Sequence, residues 1–137
     1  YVYCMATKSN GNIVMSFTFY AGKVDESNPK KINSVFTDIQ MKRNFWTEDG
    51  TEVPNPEYIP YSEVTLGNNL NYYSLMELLG LKTEESIIFK IDIDEFREVI
   101  NKIDTSNFDS YFMNKISDLS HLVKIGKEYG ATLIYAA

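Results

Sequence analysis

The chain is poor in the residues on which metal and catalytic sites are usually built. Its 137 residues include one cysteine, Cys4, and one histidine, His121. A single cysteine excludes an internal disulfide and a multi-cysteine zinc site, and a single histidine excludes a histidine-rich metal site. Cys4 lies in an apolar run and is predicted to be a buried, unreactive thiol. His121 is predicted to pack or to be solvated at the margin of a helix.

The sequence also lacks the common catalytic motifs. Its seven glycines are spread singly, so neither the GxGxxG nor the Walker spacing occurs. No serine lies in the surroundings of a nucleophile elbow. Asp92 and Asp94 resemble part of a calcium loop, but the glycine and the terminal glutamate of that motif are missing, and helix capping explains Asp92 with Glu95. We therefore predict no catalytic residue, no metal and no cofactor.

Basic residues are few. Thirteen lysines and arginines face nineteen acids, which gives a net charge of -6 at pH 7, and Arg43 and Arg97 are the only arginines. Because nucleic-acid-binding proteins concentrate Lys and Arg on one face, these scattered bases disfavour a nucleic-acid partner. An anionic membrane surface is disfavoured for the same reason, and no run of about 20 apolar residues occurs. The charge suits a protein partner with a basic surface, or it serves only solubility.

Length and hydrophobicity indicate a single domain over residues 1–137. The hydrophobic fraction of 44% is too high for a disordered chain. The single cysteine fits a reducing compartment and predicts a cytoplasmic protein. The chain starts with Tyr1-Val2-Tyr3 and has no initiator Met, so a removed signal peptide is an alternative. The frequent Lys, Asn, Ile and Tyr have AT-rich codons, which indicates a low-GC bacterial or phage genome.

The first half of the chain has the pattern of strands and loops. Residues 2–6 are rich in β formers and residues 13–20 alternate, which predicts a hairpin across the turn at 8–12. Residues 21–33 are polar and contain Asn28-Pro29, which predicts a loop. Residues 34–42 alternate again and predict a strand, and residues 63–66 predict a short one. Between them, Asp49-Gly50 and three prolines predict an ordered loop over residues 44–60.

The second half is predicted to be mostly helical. An Asn-rich turn precedes a helix over 72–79 that stops at Gly80, and a strand over 87–91 leads to a helix capped by Asp92. A longer helix from 107 to 129 stops at Gly130, and residues 131–136 return to the sheet. We therefore predict an α+β fold, in which an antiparallel or mixed sheet from the N-terminal half packs against two or three C-terminal helices, with a short C-terminal strand.

Aromatic side chains crowd the middle of the chain. These residues are Phe45, Trp46, Tyr58, Tyr61, Tyr72 and Tyr73. Trp and Tyr dominate the hot spots of protein interfaces, so they would form a contact surface if several are exposed. The alternative is that they pack an irregular loop onto the sheet. The nearby Glu48, Asp49 and Glu52 are only a weak signal for acid–base chemistry, because neighbouring carboxylates are common in loops.

Part of the chain resembles other small proteins. The segments that carry the resemblance are Trp46-Thr47-Glu48-Asp49-Gly50, Asn55-Pro56-Glu57-Tyr58, the Asn-rich turn with Leu75, Leu78, Leu79 and Gly80, and the long helix that ends at Gly130 before a short apolar strand. They resemble a family of small uncharacterised bacterial and phage proteins. The resemblance covers roughly half of the chain and implies no activity, so we carry over no functional residue.

These observations predict a non-enzymatic protein-binding module, such as an inhibitor, an immunity-type protein or a phage accessory protein. We predict contact residues at Trp46, Asp49, Tyr58 and Tyr61, with Asn69 and Asn71 as second choices. An alternative is a small-molecule-binding protein or minor enzyme, with a pocket at the Asn-rich helix start near Asn69, Asn71 and Tyr72. A third interpretation is a structural subunit of a larger assembly.

Overall fold

The computed structural model describes residues 4–9, 12–84 and 88–137, with the backbone alone for residues 4–9 and 12–15. In these ranges the chain has the predicted α+β fold, with an antiparallel sheet and helices in the C-terminal half. In chain order they are β1 (Cys4–Ser9), β2 (Asn12–Asp25), β3 (Asn28–Ser34), β4 (Asn44–Trp46), β5 (Glu52–Pro54), β6 (Glu63–Leu66), α1 (Asn69–Leu78), β7 (Phe89–Asp92), α2 (Ile93–Lys102), α3 (Ser110–Glu128) and β8 (Leu133–Ala136).

The main sheet is built around the long strand β2. Its start pairs with β1, its middle with β6 and β8, and its end with β3, and β8 pairs in turn with β7. All of these described pairings are antiparallel. The strands predicted over 13–20, 63–66 and 131–136 are confirmed in this sheet. The strand predicted over 87–91 is confirmed from Phe89 onward, and its first residue lies outside the described part of the chain.

One face of the sheet packs against the three helices. Phe17 of β2 stacks on Tyr72 of α1, with ring centroids 3.9 Å apart, and Phe19 stacks on Phe96 of α2 at 6.1 Å. Ala21 packs against α3 at Gly126. Residues two apart on a strand share a face, so β2 offers one buried residue to each helix in turn. Burying a Phe side chain contributes roughly 1.5–3 kcal/mol, so this row is a main source of stability.

The cap predicted at Asp92 and the stops predicted at Gly80 and Gly130 are confirmed, whereas α1 begins at Asn69 rather than at 72. The side chains of Asn68, Asp92 and Asp109 each accept a hydrogen bond from a backbone N–H of the first turn, at 2.8–3.1 Å. After α1 and α3, Gly80 and Gly130 have φ of +69° and +86°, the left-handed conformation that suits glycine. The long helix begins at 110 rather than 107, because Asp109 is its cap.

Residues 21–33 are not the predicted loop. β2 continues to Asp25 and β3 begins at Asn28, so the chain forms a hairpin that turns at residues 26–27. Asp25 Oδ1 accepts a hydrogen bond from the N–H of Ser27 at 2.9 Å and closes the turn. Most side chains of this hairpin are exposed, so its polarity reflects solvent around a projecting ribbon rather than a loop. Pro29 is tolerated because β3 pairs on one side only among the described strands.

Residues 34–42 are not the predicted strand. The N–H of Thr37 donates to Gln40 Oε1 at 2.9 Å, and the N–H of Gln40 donates to Thr37 Oγ1 at 3.1 Å. The N–H of Met41 also donates to the carbonyl of Thr37 at 3.1 Å. These local bonds satisfy backbone groups that a strand would offer to a neighbour, so a compact turn forms instead. Phe36, which is 3% exposed, fixes this turn to the core.

Candidate binding surface

Strands β4 and β5 form a small hairpin, separate from the main sheet, that carries Trp46. Phe45 pairs with Val53 and Trp46 pairs with Glu52. Neighbouring side chains on a strand point to opposite faces. Phe45 is half-buried, with Lys42 Nζ 5.9 Å from its ring centroid. Trp46 is 70% exposed, and its side chain makes no hydrogen bond or ring contact with any other described residue.

Asp49 shapes the turn of this hairpin. Its Oδ1 accepts hydrogen bonds from Thr47 Oγ1 and from the N–H of Thr51, the latter at 3.1 Å. These bonds, that from Thr47 above all, lower the pKa of the Asp49 carboxyl below its usual value. Gly50 follows with φ of +82° and closes the turn. Asp49 therefore holds the loop in shape while its carboxylate stays exposed.

Asn55 is the buried anchor of the loop, and it was not among the predicted site residues. Its side chain is 6% exposed. Nδ2 donates to the carbonyls of Ile39 and Lys42 at 2.8 and 2.6 Å, and Oδ1 accepts from the N–H of Glu57 at 2.9 Å. This residue ties the proline-rich segment to the turn at 37–42. The flanking Pro54 and Pro56 were the signal available in the sequence, because Asn beside proline commonly organises a turn through its side chain.

Tyr58 is half-buried and lies beside the cation of Arg43. The guanidinium carbon of Arg43 is 5.6 Å from the ring centroid of Tyr58, within the range of a cation–π contact. No ring contact among the described residues joins Tyr58 to Trp46, so the two predicted contact residues belong to separate parts of the loop. Arg43 was not predicted as a site residue.

Tyr61 has an unusual backbone and a defined partner. Its φ is +63°, a value that among the described residues only glycines share in sign. Its side chain is 43% exposed, and its ring stacks on the imidazole of His121 with centroids 4.4 Å apart. His121 Nδ1 lies 2.7 Å from the carbonyl oxygen of Ser117, to which it donates a hydrogen bond. His121 is exposed on α3, and the Tyr61 ring and the Ser117 carbonyl together fix the orientation of its imidazole.

Tyr58 and Tyr61 line an open cleft of about 510 Å³. Lys115 also lines it and donates from Nζ to the carbonyl of Thr65 at 2.7 Å. Glu63 and Asp118 are its two acidic residues. Partial burial, with a contribution from the charge of Asp38, raises the pKa of the Glu63 carboxyl above its usual value. Glu63 is a second residue of this surface that sequence reasoning missed.

The Asn-rich helix start is mainly a cap. Asn68 Oδ1 accepts from the N–H of Asn71 at 2.8 Å, whereas Asn69 is exposed on the first turn of α1. Tyr72 is 2% exposed and lies in the core, where burial raises the pKa of its hydroxyl. Neither Asn69 nor Asn71 lines the cleft described above. A pocket at this helix start would therefore have to form without the ring of Tyr72.

Within residues 16–84 and 88–137, no group of three or more His, Cys, Asp or Glu side chains is placed to hold a metal ion. None of the described helices combines the length and apolarity that a membrane span requires. Comparisons of the chain with protein-family models, with curated proteins and with solved structures find no match.

Proposed function

We propose that this chain is a non-enzymatic binding module that uses the β4–β5 hairpin to recognise a basic surface on another protein. The observation that supports this most is Trp46, which is 70% exposed and whose side chain makes no hydrogen bond or ring contact with another described residue. A tryptophan left in water forgoes a large burial energy, and Trp is the residue most enriched at interface hot spots. An inhibitor, an immunity-type protein or a phage accessory protein would use such a surface.

The order of the hairpin supports the proposal. Asp49 closes its turn and Asn55 fixes the segment that follows it, in both cases through side-chain hydrogen bonds. A contact residue on a preorganised loop loses less conformational entropy on binding than one on a flexible loop. More of the energy gained by burying the Trp46 ring would therefore appear as affinity.

The charges beside Trp46 favour a basic partner. Glu48, Asp49 and Glu52 are all exposed on the same hairpin, and Glu52 is the cross-strand neighbour of Trp46. The whole chain carries a net charge of -6, which attracts a basic surface at long range. A Lys or Arg of the partner can then meet both the carboxylates and the face of the indole ring.

The test is capture of a partner at low salt by the tagged protein, from lysate of its source organism, followed by native mass spectrometry. Trp46→Ala should weaken the complex by more than about 1 kcal/mol, or roughly five-fold, with an unchanged melting temperature. Leu70→Ala is the matched control, because Leu70 is equally exposed, at 71%, but lies on α1. The complex should also weaken steeply as salt is raised.

The proposal fails if Trp46→Ala and Leu70→Ala leave the complex equally strong, or if only Leu70→Ala weakens it.

A charge variant provides a second test. Glu52→Gln should lower the association rate and reduce the salt dependence, because it removes one carboxylate next to Trp46. A partner whose binding strengthens in Glu52→Gln would instead be acidic, which contradicts the proposed chemistry.

A further inference from the structure

A groove between α2 and α3 concentrates basic residues in a chain that is acidic overall. Its volume is about 470 Å³. The polar residues that line it are Arg97 and Asn101 of α2 and Ser120, His121, Lys124, Lys127 and Glu128 of α3. The spacings of three and four residues place each set along one face of its helix. The groove is therefore a local reversal of the molecule's charge.

The ion pairs leave one positive charge in this groove without a counter-ion. Asp94 accepts from Lys127 Nζ and lies 3.3 Å from a guanidinium nitrogen of Arg97. Glu128, at one end of the groove, makes no ion pair with any described residue, and neither does Lys124. Arg97, Lys124 and Lys127 thus carry three positive charges, whereas Glu128 in the groove and Asp94, which pairs with two of these bases, carry two negative charges. The net charge of these side chains is therefore +1, and a ligand with one negative charge could neutralise it beside Lys124.

The neutral groups suit an organic anion rather than a bare ion. The side chains of Asn101 and Ser120 make no hydrogen bonds with other described residues and can donate to a ligand. Val123, 2% exposed, lies between the polar residues at the base of the groove. Only one nitrogen of Arg97 contacts Asp94, so the remaining guanidinium donors can face an incoming carboxylate. The volume lies within the ~300–1,000 Å³ typical of small-molecule sites.

From this arrangement we propose that the α2–α3 groove binds a singly charged organic carboxylate, held by Lys124 and Arg97 over Val123. One unpaired positive charge favours a monoanion over a dianion, and the apolar base favours a ligand with a hydrocarbon body. This site does not depend on the role of the β4–β5 hairpin, and either proposal can fail without the other.

The test is a titration of the ¹⁵N-labelled protein with sodium benzoate at pH 7, with ionic strength held constant by sodium chloride. Amide signals around Arg97 and Lys124 should shift and saturate at roughly millimolar benzoate, as exposed charge pairs imply. Benzamide, which has the same shape without the charge, should leave these signals unchanged. A blocked peptide with one Glu, titrated in parallel, determines whether a free or a peptide-borne carboxylate is preferred.

Two variants give opposite expected outcomes. Lys124→Glu should weaken benzoate binding at least ten-fold, whereas Glu128→Gln should tighten it two- to three-fold, a gain that misfolding cannot imitate. Lys82→Glu is the control, because it makes the same charge change at an exposed position outside the groove. The proposal is overturned if benzamide shifts the same signals as benzoate. It is also overturned if Lys124→Glu binds as the unaltered protein does, or if neither carboxylate probe saturates.

Discussion

The ring of Tyr61 stacks on the imidazole of His121, with centroids 4.4 Å apart and planes inclined by 24°. This contact joins the end of the long loop to α3. Tyr61 makes it with a backbone φ of +63°, in a region that costs an L-residue roughly 1–2 kcal/mol. The loop therefore accepts an unfavourable backbone conformation at the residue whose side chain connects it to the helix.

This relationship predicts an unusual order of stability among variants of Tyr61. Tyr61→Ala and Tyr61→Gly both lose the ring contact, but glycine adopts positive φ without a steric penalty. Tyr61→Gly should therefore have the higher free energy of unfolding, by about 1 kcal/mol, although glycine is more flexible when unfolded. Urea denaturation measures the difference. An alanine variant as stable as the glycine variant would show that the backbone relaxes once the ring is removed.

The hydrogen bonds of Asn55 lead to a second prediction. Asn55→Ala removes two donors from the carbonyls of Ile39 and Lys42 and should lower the free energy of unfolding by about 1–3 kcal/mol. Amide exchange should accelerate at Ile59, whose N–H donates to the carbonyl of Gln40 in the same region. The control is Asn107→Ala, at an exposed position. Equal unfolding energies for the two variants would mean that Asn55 does not anchor the loop.

The sequence predicted the parts of the fold in which local pattern and tertiary packing agree. The alternation in β2, the cap at Asp92 and the helix stops at Gly80 and Gly130 all correspond to observed features. The pattern failed at residues 21–33 and 34–42. In the first case, solvent on both sides of a hairpin permits polar residues throughout a strand. In the second, side-chain bonds between Thr37 and Gln40 compete with strand pairing.

The candidate site was predictable only in outline. Aromatic crowding identified the loop, but sequence alone could not separate Trp46, which is exposed, from Tyr72, which is in the core. That difference depends on whether the folded chain packs each ring against the main sheet, as it does for Tyr72 on Phe17. Asn55 and the groove between α2 and α3 depend on contacts between distant segments, and no local pattern carries that information.

Gly22 and Gly67 are a matched pair of glycines, because the structure has room for a Cβ at Gly67 but not at Gly22. A Cβ added to Gly22 would lie 2.4 Å from the carbonyl oxygen of Asn33 and 2.7 Å from the Tyr135 ring, whereas one added to Gly67 would meet no atom within 4 Å. Gly22→Ala should therefore lower the free energy of unfolding by about 1–3 kcal/mol. Gly67→Ala should change the free energy of unfolding by no more than about 0.5 kcal/mol. Thermal and urea denaturation of both variants test this difference.

The raised pKa of Glu63 predicts a pH-dependent effect of removing its charge. Partial burial and the charge of Asp38 disfavour the ionised carboxylate, so its pKa is higher in the folded protein than in the unfolded chain. The stability that Glu63 contributes is present below its unfolded pKa and is lost as pH rises through the raised folded value. At pH 7 the charged side chain is therefore unfavourable, and Glu63→Gln should raise the free energy of unfolding.

We expect a gain on the order of 0.5 kcal/mol, because the cleft is open to water and screens the charge. The gain should shrink as the pH falls to about 4, where the carboxyl of the unaltered protein is also neutral. Urea denaturation between pH 4 and pH 7 measures both values. Glu57→Gln makes the same charge change at an exposed position and should show no such trend. A gain from Glu63→Gln that is equal at both pH values would instead come from packing or hydrogen bonding of the new amide, and the charge of Glu63 would not be its cause.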